Sequence, residues 1–105
     1  MKENNLLIQH KHLRVTMPDG SLYDVPIIAI ALHRAKEYAD EFSSVEVSLH
    51  EDTLPLFENN PYQIQDWAAG NMNWSDVAEQ AKRITRPKSR LDFQEGWVNG
   101  EKKVV

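Results

Sequence analysis

Residues 60–84 read NPYQIQDWAAGNMNWSDVAEQAKRI, and this stretch is the predicted centre of the fold. Asn60 can cap a helix that has Pro61 at its first position, where the missing N–H of proline costs nothing. The apolar residues of this helix, Ile64, Trp67 and Ala68, are spaced for one face. Gly70-Asn71 can end it with left-handed backbone. Asn73 or Ser75 can cap a second helix, with Trp74, Val77, Ala78 and Ala81 on its buried side.

The two ends of the chain predict a small antiparallel sheet. Leu13, Val15 and Met17 alternate with polar residues, and the Pro18-Asp19-Gly20 turn would bring residues 21–25 back as a second strand. Near the other end, Asn99-Gly100 is a strong signal for a type I′ hairpin between residues 91–98 and 101–104. The expected fold is α+β, one domain over residues 1–105, with this sheet packed against three or four helices.

The longest predicted helix covers residues 27–42, after Pro26. One apolar stripe runs along it at three- and four-residue steps: Ile28, Ala31, Leu32, Ala35, Tyr38, Ala39 and Phe42. We therefore expect Leu32 to be a core residue. Residues 43–59 mix strand alternation with helical spacing, and we favour a helical segment that breaks or kinks near Pro55.

Charge is distributed unevenly along this chain of net charge −4. The acidic segment, residues 37–81, contains no Lys or Arg but has ten acidic residues. The next nine residues hold five bases and no acid: Lys82, Arg83, Arg86, Lys88 and Arg90. Since unpaired carboxylates are expelled from cores, part of the acidic segment must be exposed. It predicts either a solvated face or a surface for a basic protein partner.

A resemblance rests on residues 66–77, DWAAGNMNWSDV, together with EDTLPLF at 51–57 and the pattern Val25-Pro26…Arg34-Ala35…Tyr38-Ala39. These motifs resemble small uncharacterised bacterial proteins of phage and prophage genomes. Where Gly70 stands, the resemblance leads us to expect asparagine, which also tolerates left-handed backbone. The resemblance implies a phage-type accessory protein. It carries no known activity and therefore no catalytic residues.

Catalytic and metal-binding chemistry finds little support in the sequence. The chain has no cysteine, so it has no disulfide and no thiolate ligand or nucleophile. His10 and His12 would share one strand face, but His33 and His50 belong to other elements, so surface histidines are a better interpretation than zinc ligands. The glycines are scattered singly, which leaves no phosphate-binding loop. We expect no enzyme activity and no cofactor.

Two binding hypotheses remain. The first is a protein partner that contacts exposed acids of the acidic segment or exposed apolar residues, with these candidates: Glu37, Asp40, Glu51, Asp52, Met72 and Trp97. The alternative is nucleic-acid binding, with residues 60–84 as a helix-turn-helix and phosphate contacts from Lys82, Arg83, Arg86, Lys88 and Arg90. Acids at the start of the second helix, Asp76 and Glu79, oppose that alternative. The apolar run at residues 6–8 is too short for a signal peptide or a membrane span, so we expect a cytoplasmic protein of a bacterial host.

Overall fold

The computed structural model describes residues 7–86 and 90–105, and its architecture is α+β, as the sequence predicts. The strands are β1 (His12–Thr16), β2 (Leu22–Pro26), β3 (Lys82–Arg83) and β4 (Lys102–Val104). The helices are α1 (Ile27–Glu37), α2 (Val45–Ser48), α3 (Leu54–Asn59), α4 (Tyr62–Asn71) and α5 (Phe93–Asn99). A π-helical turn (Leu49–Thr53) joins α2 to α3, and 3₁₀ turns cover Ile8–His10, Ala39–Glu41 and Trp74–Asp76.

All strand pairs are antiparallel, in the order β3-β2-β1-β4. The predicted N-terminal hairpin is confirmed. Gly20 has the positive φ of 89° that its turn requires, and the Met17 N–H donates to the Ser21 carbonyl across 2.8 Å. Leu13 lies opposite Val104, so the two ends of the chain meet in one sheet, also as predicted.

One face of the sheet carries the core. The side chains of Leu13, Val15 and Val25 are at most 1% exposed and pack with apolar residues of the helices. Residues between them in sequence, such as Arg14 and Thr16, lie on the opposite face. The helices therefore cover the inner face of the sheet and leave the outer face uncovered.

The helix after Pro26 begins where the sequence predicts, but α1 ends at Glu37, and Phe42 is already extended at φ −130° and ψ 167°. The predicted stripe is partly wrong. Four residues face the core with 0% exposure: Ile27, Ile30, Ala31 and Ala35. Ile28 and Leu32 are only partly buried, because each lies about 100° around the helix from a core-facing neighbour. Leu32, which the sequence predicts as a core residue, packs against the core but is only partly buried.

The segment from Val45 to Asn59 is helical throughout, with its irregularity placed just before Pro55. Proline has no N–H to donate to the carbonyl four residues earlier, and its ring would clash with that carbonyl. The π-helical turn Leu49–Thr53 widens the helix at this point. The predicted helix with a break near Pro55 is therefore confirmed.

Helix α4 forms where the first helix of the central stretch is predicted, but its N-cap is Pro61 rather than Asn60, and among the described residues only Gly20 has a positive φ, so the predicted left-handed end at Gly70-Asn71 is wrong. The predicted second helix is also wrong. After Met72 the chain forms only the 3₁₀ turn Trp74–Asp76, capped as predicted by Asn73, whose N–H donates to Asp76 Oδ2 at 2.8 Å. Residues 77–80 turn, and Lys82 and Arg83 pair with β2. Trp74 stacks on Phe93 with ring centroids 5.2 Å apart. These tertiary contacts override the helical spacing of residues 74–84.

The predicted C-terminal hairpin is also wrong, because residues 93–99 form α5 and only β4 is a strand. Asp92 caps this helix by accepting the Glu95 N–H at 3.0 Å. Gly100 has φ −70°, which a type I′ turn does not allow. A Cβ at Gly100 would meet the Thr16 carbonyl oxygen, so glycine permits α5 to approach β1 here.

Candidate partner-binding surface

The structure contains an apolar groove along α1, which we call the α1 groove. Helix α1 is apolar on more than one side: Ile27, Ile30 and Ala31 are fully buried, whereas Ile28, Ala29 and Leu32 pack against the core and are only partly buried. A helix that is apolar all round is normally buried on all sides. Here the second side is open, and the cavity above it has a volume of ≈ 450 Å³. Its residues are Pro26, Ile28, Ala29, Leu32, His33, Lys36, Met72, Asp76 and Gln80.

The rim of the α1 groove is polar. Trp67 Nε1 donates a hydrogen bond to His33 Nδ1 at 3.0 Å, so this nitrogen carries no proton in the bonded state and Nε2 is the N–H donor of the ring. Lys36 follows on the last turn of α1, and Asp76 and Gln80 face it from across the groove. An apolar floor with hydrogen-bonding groups at the edge can hold apolar side chains of a partner and also fix their orientation.

Helix α1 is held rigidly against the helices behind it through Arg34. The guanidinium Nη1 donates to Asp52 Oδ2 and to Thr53 Oγ1, both at 2.8 Å. The same guanidinium lies 4.6 Å from the centroid of the Tyr38 ring. These contacts tie α1 to the π-helical turn. The groove therefore stands on a fixed helix rather than on a loop.

The structure places the predicted acidic candidates in two settings. Glu37, Asp40 and Glu51 are exposed, at the end of α1, in the 3₁₀ turn Ala39–Glu41 and in the π-helical turn. Asp52 instead forms the ion pair with Arg34, so it holds the fold together. Glu37 lies four residues after His33, on the same side of α1. Glu37 therefore lies beside His33, a rim residue of the α1 groove.

The apolar candidates Met72 and Trp97 are not exposed, and the sequence-based expectation is wrong for both. Trp97 is 0% exposed and Met72 is 4% exposed. Trp97 Nε1 donates to the Met72 carbonyl at 3.1 Å, and the indole packs against Trp74 with ring centroids 6.0 Å apart. Because residues 93–99 form a helix, the Trp97 side chain points into the core. Met72 nevertheless lines the α1 groove.

The basic residues do not belong to a recognition helix. Lys82 and Arg83 form the edge strand β3, and Arg86 and Arg90 are exposed outside regular structure. Lys88 lies outside the described residues. The predicted helix-turn-helix is wrong because its second helix is absent. Lys82 lies on the outer face of the sheet, opposite Asp24 of β2.

Sequence reasoning missed Ala29, His33 and Lys36 as surface candidates and placed Ile28 and Leu32 in the core. A signal was present, since residues 27–32, IIAIAL, are all apolar and a single core face cannot cover six consecutive helical positions. Within residues 7–86 and 90–105, no group of three or more His, Asp or Glu side chains could hold a metal ion. In the same ranges, no helix is both long enough and apolar enough to cross a membrane.

Comparisons of the chain with protein-family models, with curated proteins and with solved structures find no match.

Proposed function

We propose that this protein is a non-enzymatic accessory protein of phage or prophage type that acts by binding another protein through the α1 groove. The observation that carries the proposal is the partial exposure of Ile28, Ala29 and Leu32 on a helix whose other side is fully buried. The phage-type assignment is supported by the resemblance of residues 66–77 alone. The geometry of the groove supports the mode of action.

The α1 groove suits a protein partner for two reasons. Exposed apolar surface bordered by polar residues marks interaction sites on soluble proteins. Moreover, the cavity is open along α1, so it can accept a row of side chains, as an amphipathic helix of a partner would supply. Apolar anchors inserted beside Leu32 and Met72 would be shielded by the rim groups His33 and Lys36. Burial of these anchors would provide most of the binding energy.

The exposed acids give the proposed partner a preferred charge. Glu37 and Asp40 lie at the Lys36 end of the groove, and Glu51 lies on the π-helical turn that packs against α1. Charges at the rim of an interface act chiefly on the rate of encounter. A partner with basic residues beside its apolar anchors would therefore associate faster at low salt.

Affinity capture from a bacterial host, identified by mass spectrometry, tests the proposal when wild type is compared with two variants. The groove variant is Ile28→Ser with Leu32→Ser, and the matched control is Tyr62→Ser with Val98→Ser, at two exposed apolar residues that do not line the groove. We expect one protein to be retained by wild type and control and lost from the groove variant, with circular dichroism showing that both variants fold. Equal retention by all three proteins would contradict the proposal.

The role of the acids is tested with the captured partner. The triple variant Glu37→Gln, Asp40→Asn and Glu51→Gln removes three exposed charges but leaves the Arg34–Asp52 pair intact. A control with an equal change of charge replaces exposed acids elsewhere: Asp66→Asn, Glu79→Gln and Glu101→Gln. We expect slower association and weaker salt dependence for the first variant only. Identical association rates for both variants would mean that the acids are simply solvated.

A further inference from the structure

The outer face of the sheet carries an ordered row of charged side chains. The strand register places Lys82, Asp24, Arg14 and Lys103 side by side across β3, β2, β1 and β4. Side chains in register on neighbouring antiparallel strands lie on the same side of the sheet. The row therefore crosses the whole sheet on the side that the helices leave uncovered.

The centre of this row is neutral and rigid. Arg14 Nε donates to Asp24 Oδ1 at 2.8 Å, and Arg14 Nη2 donates to Asp24 Oδ2 at 2.9 Å. The hydrogen bonds to Asp24 raise the pKa of Arg14 above its ordinary value. Such a two-point pair holds both side chains in one plane. Two exposed ammonium groups remain, on Lys82 and Lys103, whose strands β3 and β4 lie three strand intervals, or about 14 Å, apart.

Apolar side chains lie on the same face. Leu22 is partly buried, and Ile84, whose N–H donates to the Leu22 carbonyl at 2.8 Å, is 38% exposed. Val105, in register with His12, is 41% exposed. A cavity of ≈ 330 Å³ opens between β2, β1 and β4, and its lining includes Arg14, Thr16, Leu22 and Lys103. The outer face of the sheet therefore offers apolar contacts next to positively charged side chains, although the net charge of the protein is −4.

We propose that the outer face of the sheet is a second docking surface, which binds an acidic protein segment with interspersed apolar residues. Lys82 and Lys103 pair with carboxylates of the segment, and Leu22 and Ile84 contact its apolar side chains. Charge complementarity selects this partner, since outside the Arg14–Asp24 pair Lys82 and Lys103 outnumber the acidic Glu101 on this face, and the acidic segment of the chain lies mainly on the helical side. This surface is distinct from the α1 groove, because the cavities of the two surfaces share no lining residue.

Nucleic acid fits the same face less well. Proteins that bind single strands stack bases on aromatic side chains. In the described ranges, Phe, Tyr and Trp are missing from the outer positions of β1 to β4: the aromatic residue of β2, Tyr23, faces the core at 8% exposure.

The test is a titration of ¹⁵N-labelled protein with a short peptide of alternating aspartate and leucine residues, followed by NMR. We expect amide shifts at His12, Leu22 and Ile84, and affinity at least about fivefold weaker for Lys82→Gln with Lys103→Gln. The control Lys36→Gln, on the rim of the α1 groove, should bind within about twofold of wild type because it lies outside the proposed surface. Loss of binding in the Lys82/Lys103 variant alone separates this surface from the groove of the proposed function.

Three results would overturn this proposal: no amide shifts with the peptide, shifts confined to Ile28 and Leu32, or equal affinity in all variants. A thymidine oligonucleotide is the comparison probe. If it binds the outer face more tightly than the peptide at about 0.15 M salt, the surface binds nucleic acid and the acidic-segment proposal is wrong.

Discussion

Replacing Ile30 and Leu32 of α1 separately by alanine tests whether the α1 groove is open in solution. Ile30 is 0% exposed, so Ile30→Ala removes buried methyl groups and leaves a cavity, at a cost of about 2–5 kcal/mol. Leu32 is partly exposed and lines the groove. Leu32→Ala leaves no closed cavity, and the lost transfer energy is only part of the ~1.5–3 kcal/mol of a fully buried leucine, or about 1 kcal/mol. Both substitutions place alanine in the same helix, so propensity differences stay within about 0.5 kcal/mol.

Urea unfolding followed by far-UV circular dichroism measures both free energies. The two costs differ by about 1–4 kcal/mol, so with slopes of about 1–3 kcal/mol per molar urea the two midpoints should differ by roughly 0.3–4 M. The slopes themselves should stay equal, because both variants bury nearly the same surface. If Leu32→Ala costs as much as Ile30→Ala, then the groove is closed in solution. The partner-binding proposal would then lose its main support.

The remaining predictions concern the C-terminal segment. Trp97→Phe should lower the free energy of unfolding in urea by about 1–3 kcal/mol, because it leaves the buried Met72 carbonyl without its hydrogen bond. A change below about 0.5 kcal/mol would place Trp97 at the surface. Gly100→Ala should lower the free energy of unfolding by about 2 kcal/mol or more, since the added Cβ would meet the Thr16 backbone. By contrast, Gly70 has open space around it, so Gly70→Ala should stabilise α4 by about 0.5–1 kcal/mol. A stable Gly100→Ala protein would refute the close approach. Burial lowers the pKa of Lys102 below its ordinary 10.5. Between the lowered pKa and 10.5, Lys102 therefore binds more protons in the unfolded chain than in the folded protein. The free energy of unfolding due to this residue should accordingly rise as the pH increases towards 10.5. Unfolding free energies of wild type and Lys102→Gln over the alkaline range should diverge accordingly, and parallel curves would contradict this.

Local sequence signals predicted the elements in which local chemistry decides the structure. The alternation of Leu13, Val15 and Met17, followed by a glycine with positive φ, specifies the β1–β2 hairpin within one short segment. Pro61 at the start of α4 and Pro55 beside the π-helical turn act through their own missing N–H groups. None of these features requires knowledge of distant residues.

The face of α1 could not be predicted in the same way. With residues 27–32 all apolar, several stripes satisfy helical spacing, and the sequence does not say which one the sheet will cover. The structure selects Ile27, Ile30 and Ala31. Consequently Ile28 and Leu32, which looked like core residues, became the strongest surface candidates. The exposed acids Glu37, Asp40 and Glu51 were easier to place, because charged side chains are rarely buried.

The two wrong predictions near the C-terminus have one physical cause. Tyr23, Trp74, Phe93 and Trp97 form an aromatic cluster, with edge-to-face contacts of Tyr23 to Trp74 at 5.7 Å and to Phe93 at 5.5 Å. The aromatic cluster requires Trp74 to contact Phe93, which lies far from it in the sequence. Neither hydrophobic spacing nor the Asn99-Gly100 turn signal can predict such a long-range contact. A helical alternative was visible in Asp92 and Glu95, which have the spacing of an N-cap and the third helical position.

This aromatic cluster also shapes the α1 groove of the proposed function. Trp97 holds the Met72 carbonyl at 3.1 Å, and Met72 in turn forms part of the wall of the α1 groove. The C-terminal helix α5 therefore shapes a groove whose floor belongs to α1. Met72 and Trp97, which the sequence suggested as apolar contacts, support the wall of the groove from inside the fold. In the proposed function, Ile28 and Leu32 would provide the contact surface. A groove variant should accordingly remove binding without removing the fold, whereas a change at Trp97 affects both, so only the former can separate recognition from stability.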